Sequence, residues 1–494
     1  MNRASTAPLD EASWLRLQRA PGDTLRAALE RAVRDGIRQG ALRAGVRLPS
    51  SRQLAAQLGV SRGVVSDVYA QLEAQGFIAM RPRSAPVVAA VSRPAARPPR
   101  AEQQQAAKPP RFDMTPTTPD VTLFPTRRWL AALDHSARRA PARALDYGDP
   151  RGDPGLRETL ADHLGRTRGV VADPSQIVVV QGAGQGTDLL LRLLAARGGR
   201  RVAVEDPSVN RQHEQIDALG LEAAGREVDD DGMVVDGLEA DAVIVTPAHQ
   251  FPTGVVLSGE RRRELLAWSR ERAGVVIEDD YDAEFRYDRE AVRALQGLDP
   301  ERVAYLGTAS KSLAPALRLG WLVAPPQLVE EAVRTKRLLD DASPVLEQLA
   351  LRRMIESGDY DRHVRHVRAV YRARRDRLLA ALAEHVPGLR IQGVAAGLHV
   401  LVRLPAGSDD ELIAREAARE GVHVEPLSRY ALRRRGAPGL VLGYGRVHET
   451  AIAPAVAALA SAIARAGRNR GGDPAPPRQG GAGSLARLSS PRPA

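Results

Sequence analysis

Residues 307–320 read GTASKSLAPALRLG and place Lys311 between two serines, directly after the apolar run RVAYLGTAS. The chain carries 71 basic residues, of which only Lys108, Lys311 and Lys336 are lysine. A guanidinium stays protonated and is a poor nucleophile, whereas a desolvated amine loses its proton and condenses with an aldehyde. Thr308 and Ser310 supply hydroxyls just before Lys311, and Arg318 follows it. Two other stretches carry chemistry. After VVVQ comes GAGQGTDLLLRLL, where small residues lead into a helix whose free N–H groups and dipole suit a phosphate; a plain tight turn would use the same glycines. After AGVVI comes EDDYD, which sets Asp279 and Asp280 at the end of a β-rich run. Adjacent carboxylates there suit magnesium, although no Walker A segment accompanies them, or one of them suits a protonated ring nitrogen.

An amine for an aldehyde, an anion for a pyridinium, and dipoles with a guanidinium for a phosphate are together what pyridoxal 5'-phosphate requires. That cofactor is therefore expected, with Lys311 as the Schiff-base lysine. Cysteine is absent, which excludes disulfides and thiolate metal ligands and fits a cytoplasmic protein. No metal site is expected.

The elements that must position these groups follow from hydrophobic pattern. QIVVVQG, RRVAVED, ADAVIVTP, AGVVIEDD, RVAYLGT and LGWLVAP are β-rich runs bounded by glycine, proline or acid, with amphipathic stretches between several of them. That pattern predicts an α/β body with a largely parallel sheet, whose ligands sit beyond the carboxyl ends of the strands. There is no apolar run of membrane-spanning length and no apolar leader at the N-terminus, so neither membrane insertion nor secretion is expected.

Ahead of the body, TLRAALERAVRDGIRQG puts Leu25, Leu29, Val33 and Ile37 at helical spacing and stops at glycine. In LPSSRQLAAQLGVSRGVVSDVYAQLEAQGFI, Ser50 and Gln53 form a capping box, Gly59 makes a turn, and Ser61 caps a second helix. Val64, Val65, Val68, Tyr69 and Leu72 stripe that helix, and FIAMRPRSAPVVAAV reads as a hairpin wing. A helix-turn-helix with Ser61, Arg62 and Ser66 opening its second helix is a duplex-DNA reader; a plain helical hairpin with a solvated basic face is the bland alternative. Charge agrees with the first reading. The net charge is +11, concentrated in the head, in a Pro/Ala-rich linker at 88–112 and in a tail from 467, while the body is mildly acidic. The domain reading is a DNA-binding head at 14–87, the linker, a cofactor-binding body at 113–466, and a disordered basic tail at 467–494.

The head resembles the winged helix-turn-helix of GntR-type regulators, and carried over, Arg52, Ser61 and Arg62 would touch DNA. Gly63 and Ser66 depart from common family residues, so no base preference transfers. The body resembles the fold-type I aminotransferases, and the series YGDPRGDPGLR, QGAGQG, AVEDPSV, TPAHQFPTG, VVIEDDYDAEFRY and SKSLAPALRLGW is similar to the aminotransferase-like half of MocR-type regulators. The resemblance implies a mostly parallel sheet followed by a small C-terminal α+β subdomain. It makes Lys311 the cofactor lysine, pairs Asp279 with the pyridine nitrogen and sets Tyr281 near the ring hydroxyl. It puts the backbone of Ala183 and Gly184, with Thr308 and Arg318, around the phosphate. Tyr147 would reach the partner subunit's phosphate in a homodimer. Val209 replaces a stacking ring, Phe251 an asparagine, and Val441 the arginine that clamps a substrate carboxylate, with Arg446 close by as a substitute. The expectation is a bacterial, nucleoid-associated regulator that binds operator DNA. Its effector would be pyridoxal phosphate or its aldimine with an amino compound, and its transaminase activity at most weak. The alternative is an active aminotransferase with an accessory DNA-binding head.

Overall fold

Three helices open the described part of the chain: α1 (Leu25–Gln39), α2 (Ser51–Leu58) and α3 (Arg62–Ala74). The computed structural model describes residues 22–81, 84–90, 109–287, 292–393, 395–432 and 436–471, which fall into two units divided between Lys108 and Pro109. Most of the linker read over 88–112 and most of the tail read from 467 lie outside the described residues, as do 14–21 of the head.

In the head, α1 buries Ala28, Leu29, Val33 and Ile37 along one stripe. Ser50 and Gln53 complete both halves of the capping box of α2, and Gly59 ends that helix at φ 65°. Ser61 Oγ accepts from the Val64 N–H at 3.4 Å to start α3, which buries Val65, Val68, Tyr69 and Leu72. The Tyr69 hydroxyl donates to the Pro49 carbonyl at 2.8 Å and ties α3 to the turn before α2. β1 (Ile78–Ala79) and β2 (Val87–Val88) pair antiparallel as the wing. One apolar cluster joins all three helices to both strands, so this unit has its own core.

The second unit begins with β3 (Phe112–Asp113), α4 (Thr126–Arg139), α5 (Pro154–Arg168), β4 (Ile177–Val180) and α6 (Ala183–Ala196). It continues through β5 (Arg201–Asp206), α7 (Asn210–Ala218), β6 (Glu222–Asp229), β7 (Gly232–Met233), β8 (Ala242–Val245) and α8 (Gly259–Arg272). Next come β9 (Val275–Asp280), β10 (Val303–Thr308), β11 (Gly320–Val323), α9 (Pro326–Asp340), α10 (Val345–Glu356) and α11 (Asp359–His385). The described residues close with β12 (Arg390–Gln392), β13 (His399–Arg403), α12 (Asp410–Arg419), β14 (Val422–His423), β15 (Glu425–Pro426), β16 (Gly439–Gly443) and α13 (Glu449–Gly471). The tail read from 467 therefore starts as helix.

The main sheet has eight strands in the order β4-β11-β10-β9-β8-β5-β6-β7. β10, β9, β8, β5 and β6 are parallel neighbours, while β11 runs against both β10 and β4. Every residue of β4, β8, β10 and β11 is buried, as a sheet covered by helices on both faces requires. Register decides where the chemistry falls. Val180 lies opposite Gly320, Gly320 opposite Thr308, and Asp280 opposite Gly307. The carboxyl ends of β4, β9 and β10 thus finish at one level. A Cβ on Gly320 would lie 2.8 Å from Gly182 Cα, so the backbones meet there only because residue 320 is glycine.

A second, antiparallel sheet, β12-β13-β16-β15, packs with α11, α12 and α13 as the C-terminal subdomain. β3 pairs in parallel with β14, which fastens the start of this unit to that subdomain. Among the described residues α13 is the one helix long and apolar enough to cross a membrane. Its Ile452, Ala455, Val456 and Leu459 are buried in the subdomain core, the position of a core helix.

Candidate functional site

Lys311 lies in the loop between β10 and β11, with its amine largely enclosed. Burial pushes that amine below the usual lysine value, and the Asp282 and Asp279 carboxylates pull it back. Asp279 comes from the end of β9. Its Oδ2 accepts from Gln212 Nε2 at 3.3 Å, while its Oδ1 is buried with no hydrogen-bond partner. Burial first, and Asp280 second, push the Asp279 carboxyl up to about 6 against the pull of Lys311. A buried, unpartnered carboxylate oxygen suits a cationic N–H. The Tyr281 hydroxyl is 3.1 Å from His249 Nδ1, which in turn is 2.9 Å from Asp282 Oδ2. Burial pushes the Tyr281 phenol well above its ordinary range.

The strand-end level also assembles an anion cradle. Gly182, at φ 82°, turns the chain from β4 into α6 with no side-chain cap, so the Ala183 and Gly184 N–H groups are left for a ligand, while the Gln185 N–H donates to the Gly182 carbonyl at 3.0 Å. Arg318 donates to the Gln181 carbonyl, and a Cβ on Gly182 would lie 3.1 Å from Arg318 Nη2. Arg318 holds φ at 53°, a conformation that costs a non-glycine residue about 1–2 kcal/mol. Thr308 Oγ1 accepts from the Ser310 N–H at 3.1 Å and lies 2.9 Å from Ser310 Oγ. A second guanidinium joins them: a Cβ on Gly184 would lie 1.8 Å from Arg211 Nη2, so Arg211 rests directly on the first turn of α6. The cradle is braced from behind. Gln185 accepts from the Gln181 N–H, both glutamine amides donate to Asp340, and buried Lys336 holds Asp340 at 2.8 and 3.0 Å. Lys336 is thus structural.

Lys311, Asp279, Tyr281, Thr308, Arg318 and the Ala183–Gly184 turn fall beyond the carboxyl ends of β4, β9 and β10. Tyr147 does not join them within the chain. It is 89% exposed, on the wall of a separate open cleft of about 1080 Å³ shared with Asp341, Ser343 and Gln348. Phe251 stands edge-on to Tyr430 and His399, at 4.9 and 5.2 Å between ring centres. Val441 is fully buried in an apolar cluster with Leu401 and Leu427, and Arg446 is taken up by Asp113 at 2.7 Å. Arg446 therefore does not stand in for a carboxylate clamp. Arg211, His249, Asp282 and His399 went unnoticed in the sequence, although His249 lies within TPAHQFPTG. The last three place one donor atom each within 4.8 Å of one another, a donor set of metal-ligand type.

In the head, Arg52 and Arg62 are exposed and carry no ion pair among the described residues. Elsewhere in this unit Arg26, Arg31 and Arg34 pair with Asp67, Asp23 and Glu30. Ser61 is spent on capping through its hydroxyl, and Ser66 is half-buried behind it. The open start of α3 thus keeps unpaired guanidinium for phosphates and base edges.

Fold and sites together define a winged helix-turn-helix unit linked to a fold-type I aminotransferase-like body. Residues 25–88 match the family of bacterial regulatory proteins called gntR, and 118–445 match aminotransferase class I and II. The pyridoxine biosynthesis regulator PdxR of Corynebacterium glutamicum is 31% identical over 440 residues, 88% of this chain and 95% of PdxR. The probable rhizopine catabolism regulatory protein MocR of Rhizobium meliloti is 31% identical over 459 residues, covering 87% and 92%. The kynurenine aminotransferase of Pyrococcus horikoshii, solved in complex with PMP, superposes at TM-score 0.66 and 28% identity, over 72% of this chain and 91% of that one. The chain belongs to the MocR-type HTH transcriptional regulators, in which a GntR head precedes an aminotransferase class I and II body.

Proposed function

We propose that this regulator holds pyridoxal phosphate beyond the carboxyl strand ends of its main sheet and uses occupancy of that site, by the cofactor alone or with an amino compound, to set how its heads engage operator DNA. The observation that carries this reading is the convergence of Lys311, the unpartnered Asp279 oxygen and two guanidiniums at a free helix start. Bound there, the cofactor supplies an electrophilic aldehyde carbon that primary amines can attack. Asp279 supplies the anion for a protonated ring nitrogen. Gly182, Ala183 and Gly184 present backbone to the phosphate, Arg318 and Arg211 neutralise it, and Thr308 with Ser310 offers hydroxyls. The depressed affinity of the Lys311 amine for its proton keeps more of it nucleophilic. Tyr281, held by His249, offers its phenol to the ring hydroxyl.

Exposure of Tyr147 on an open cleft supports a homodimer in which that side chain completes the partner's site. Turnover is a poor fit, because neither Val441 nor the engaged Arg446 is placed to orient a substrate carboxylate. An effector must bind the two DNA-binding states of the body unequally to switch them. The test is spectral. Purified protein supplied with pyridoxal phosphate should gain a visible absorption band, and borohydride should fix the cofactor mass on the peptide containing Lys311. Lys311→Ala should lose both, and an unchanged band in that variant would refute the assignment.

A further inference from the structure

Behind the strand that carries Asp279 lies a second cavity, of about 390 Å³, walled by α5, the segment following β9, β10 and the start of α11. This volume is at the small end of metabolite pockets. Arginines 166, 168, 365 and 368 line it against the carboxyls of Asp280, Glu284 and Asp361, together with Arg286, which is engaged elsewhere and donates to the Ala248 carbonyl. Arg168 is matched by Asp280 at 2.7 Å, and Arg166 reaches Asp361 at 3.3 Å. Arg368, however, donates its Nε to the Glu284 backbone carbonyl at 2.7 Å, and Arg365 makes no ion pair among the described residues. Burial pushes the Glu284 carboxyl up to about 7, so it supplies only part of a negative charge near neutral pH. Arg168 Nη2 and Asp280 Oδ1, both from lining residues, are buried without a hydrogen-bond partner. Water could satisfy those atoms but would not balance the surplus guanidinium. A planar guanidinium fork is matched by carboxylate or phosphate oxygens.

The walls of this cavity are also joined to the cofactor residues. Asp280 follows Asp279 in β9. The Tyr360 hydroxyl lies 2.8 Å from Ser312 Oγ, on the residue after Lys311, and 3.3 Å from Glu284 Oε1. His363 Nε2 meets the Ser312 carbonyl at 2.8 Å. A ligand that moves Glu284 or Tyr360 therefore pulls on the Lys311 loop.

We propose that this cavity is a second effector site, for a small metabolite bearing a carboxylate or phosphate group, and that its occupancy changes the affinity of the Lys311 site for its cofactor. The coupling rests on the cofactor reading above, whereas the binding does not. Calorimetry on the full chain, with inorganic phosphate and succinate as probes, tests the binding. At least one probe should bind saturably in the millimolar range or tighter, and the probe that binds identifies the group recognised. The Arg365→Ala/Arg368→Ala pair should weaken that binding about tenfold or more, with exposed Arg365→Ala alone as the check if the pair misfolds. Arg318→Ala removes only what phosphate binds at the anion cradle of α6, so the component of binding that depends on Arg365 and Arg368 should persist in that variant. Binding of neither probe, or loss in Arg318→Ala alone, overturns the site. For the coupling, a saturating probe should change the cofactor dissociation constant about threefold or more. Tyr360→Phe should keep anion affinity and lose that change. An unchanged cofactor affinity in the unaltered chain overturns the coupling. Failure of the chain to take up pyridoxal phosphate would instead count against Lys311 and leave the calorimetric test of the cavity intact.

Discussion

Arg211 is the side chain whose role separates sequence from structure most sharply. In a chain this rich in arginine nothing marks it, because its position over Gly184 arises only when α7 packs beside the start of α6. Lys311, Asp279, Thr308 and Arg318 were legible for the opposite reason. Each ends or follows an apolar run, and the strand end is where parallel sheets collect ligand groups. His249 and Asp282 were passed over because a lone polar residue after a strand reads as solvated, and only the fold shows both buried against Tyr281. If Arg211 neutralises the phosphate, Arg211→Ala should raise the dissociation constant for pyridoxal phosphate about tenfold, the effect of one charge-assisted contact. The Lys311 absorption maximum should stay where it is, because the ring environment is untouched. Spectral titration reads both quantities.

At the scale of elements, six β-rich runs in the sequence became β4, β5, β8, β9, β10 and β11. They were legible because strands buried on both faces are continuous runs of valine, isoleucine and leucine. β6 was missed. Its EAAGREVD is mostly small or charged, and only Ala224 and Gly225 are buried, since β6 lies near the edge of the sheet with little beyond it but two-residue β7. The capping box of α2 and the wing were both visible locally, since each depends on neighbours a few residues apart. What no local pattern reveals is the close passage of β11 and the turn after β4. Gly320→Ala would press a methyl group against Gly182 Cα and the Gly307 carbonyl oxygen, backbone atoms that cannot rotate aside. This should destabilise the body by about 1–3 kcal/mol, seen as a lower urea midpoint. It should also weaken cofactor retention, because the displaced turn is the phosphate cradle.

For the whole molecule, charge and core agree on the division of labour. The head has its own apolar cluster, Arg52 and Arg62 at the starts of α2 and α3 with no ion pair among the described residues, and a share of the net positive charge out of proportion to its length. Operator binding by the full chain should therefore weaken steeply as salt rises, with a slope near −0.9 per phosphate neutralised. Arg62→Ala should make that slope shallower by about one contact. Filter binding or fluorescence anisotropy across a salt series measures both, and a flat salt response would remove the head from the role of reader. The chain falls into two units, and the tether read between them from proline and alanine lies mostly outside the described residues.

Asp279 has a bearing on the early life of each molecule. If the proposed cofactor is what meets the buried Asp279 Oδ1, a chain without it carries an unsatisfied polar atom at a cost of about 1–3 kcal/mol. Such chains open more often and meet proteases more readily than their loaded counterparts. On the proposed reading, the amount of regulator in a cell should follow the supply of pyridoxal phosphate, before a single operator has been read.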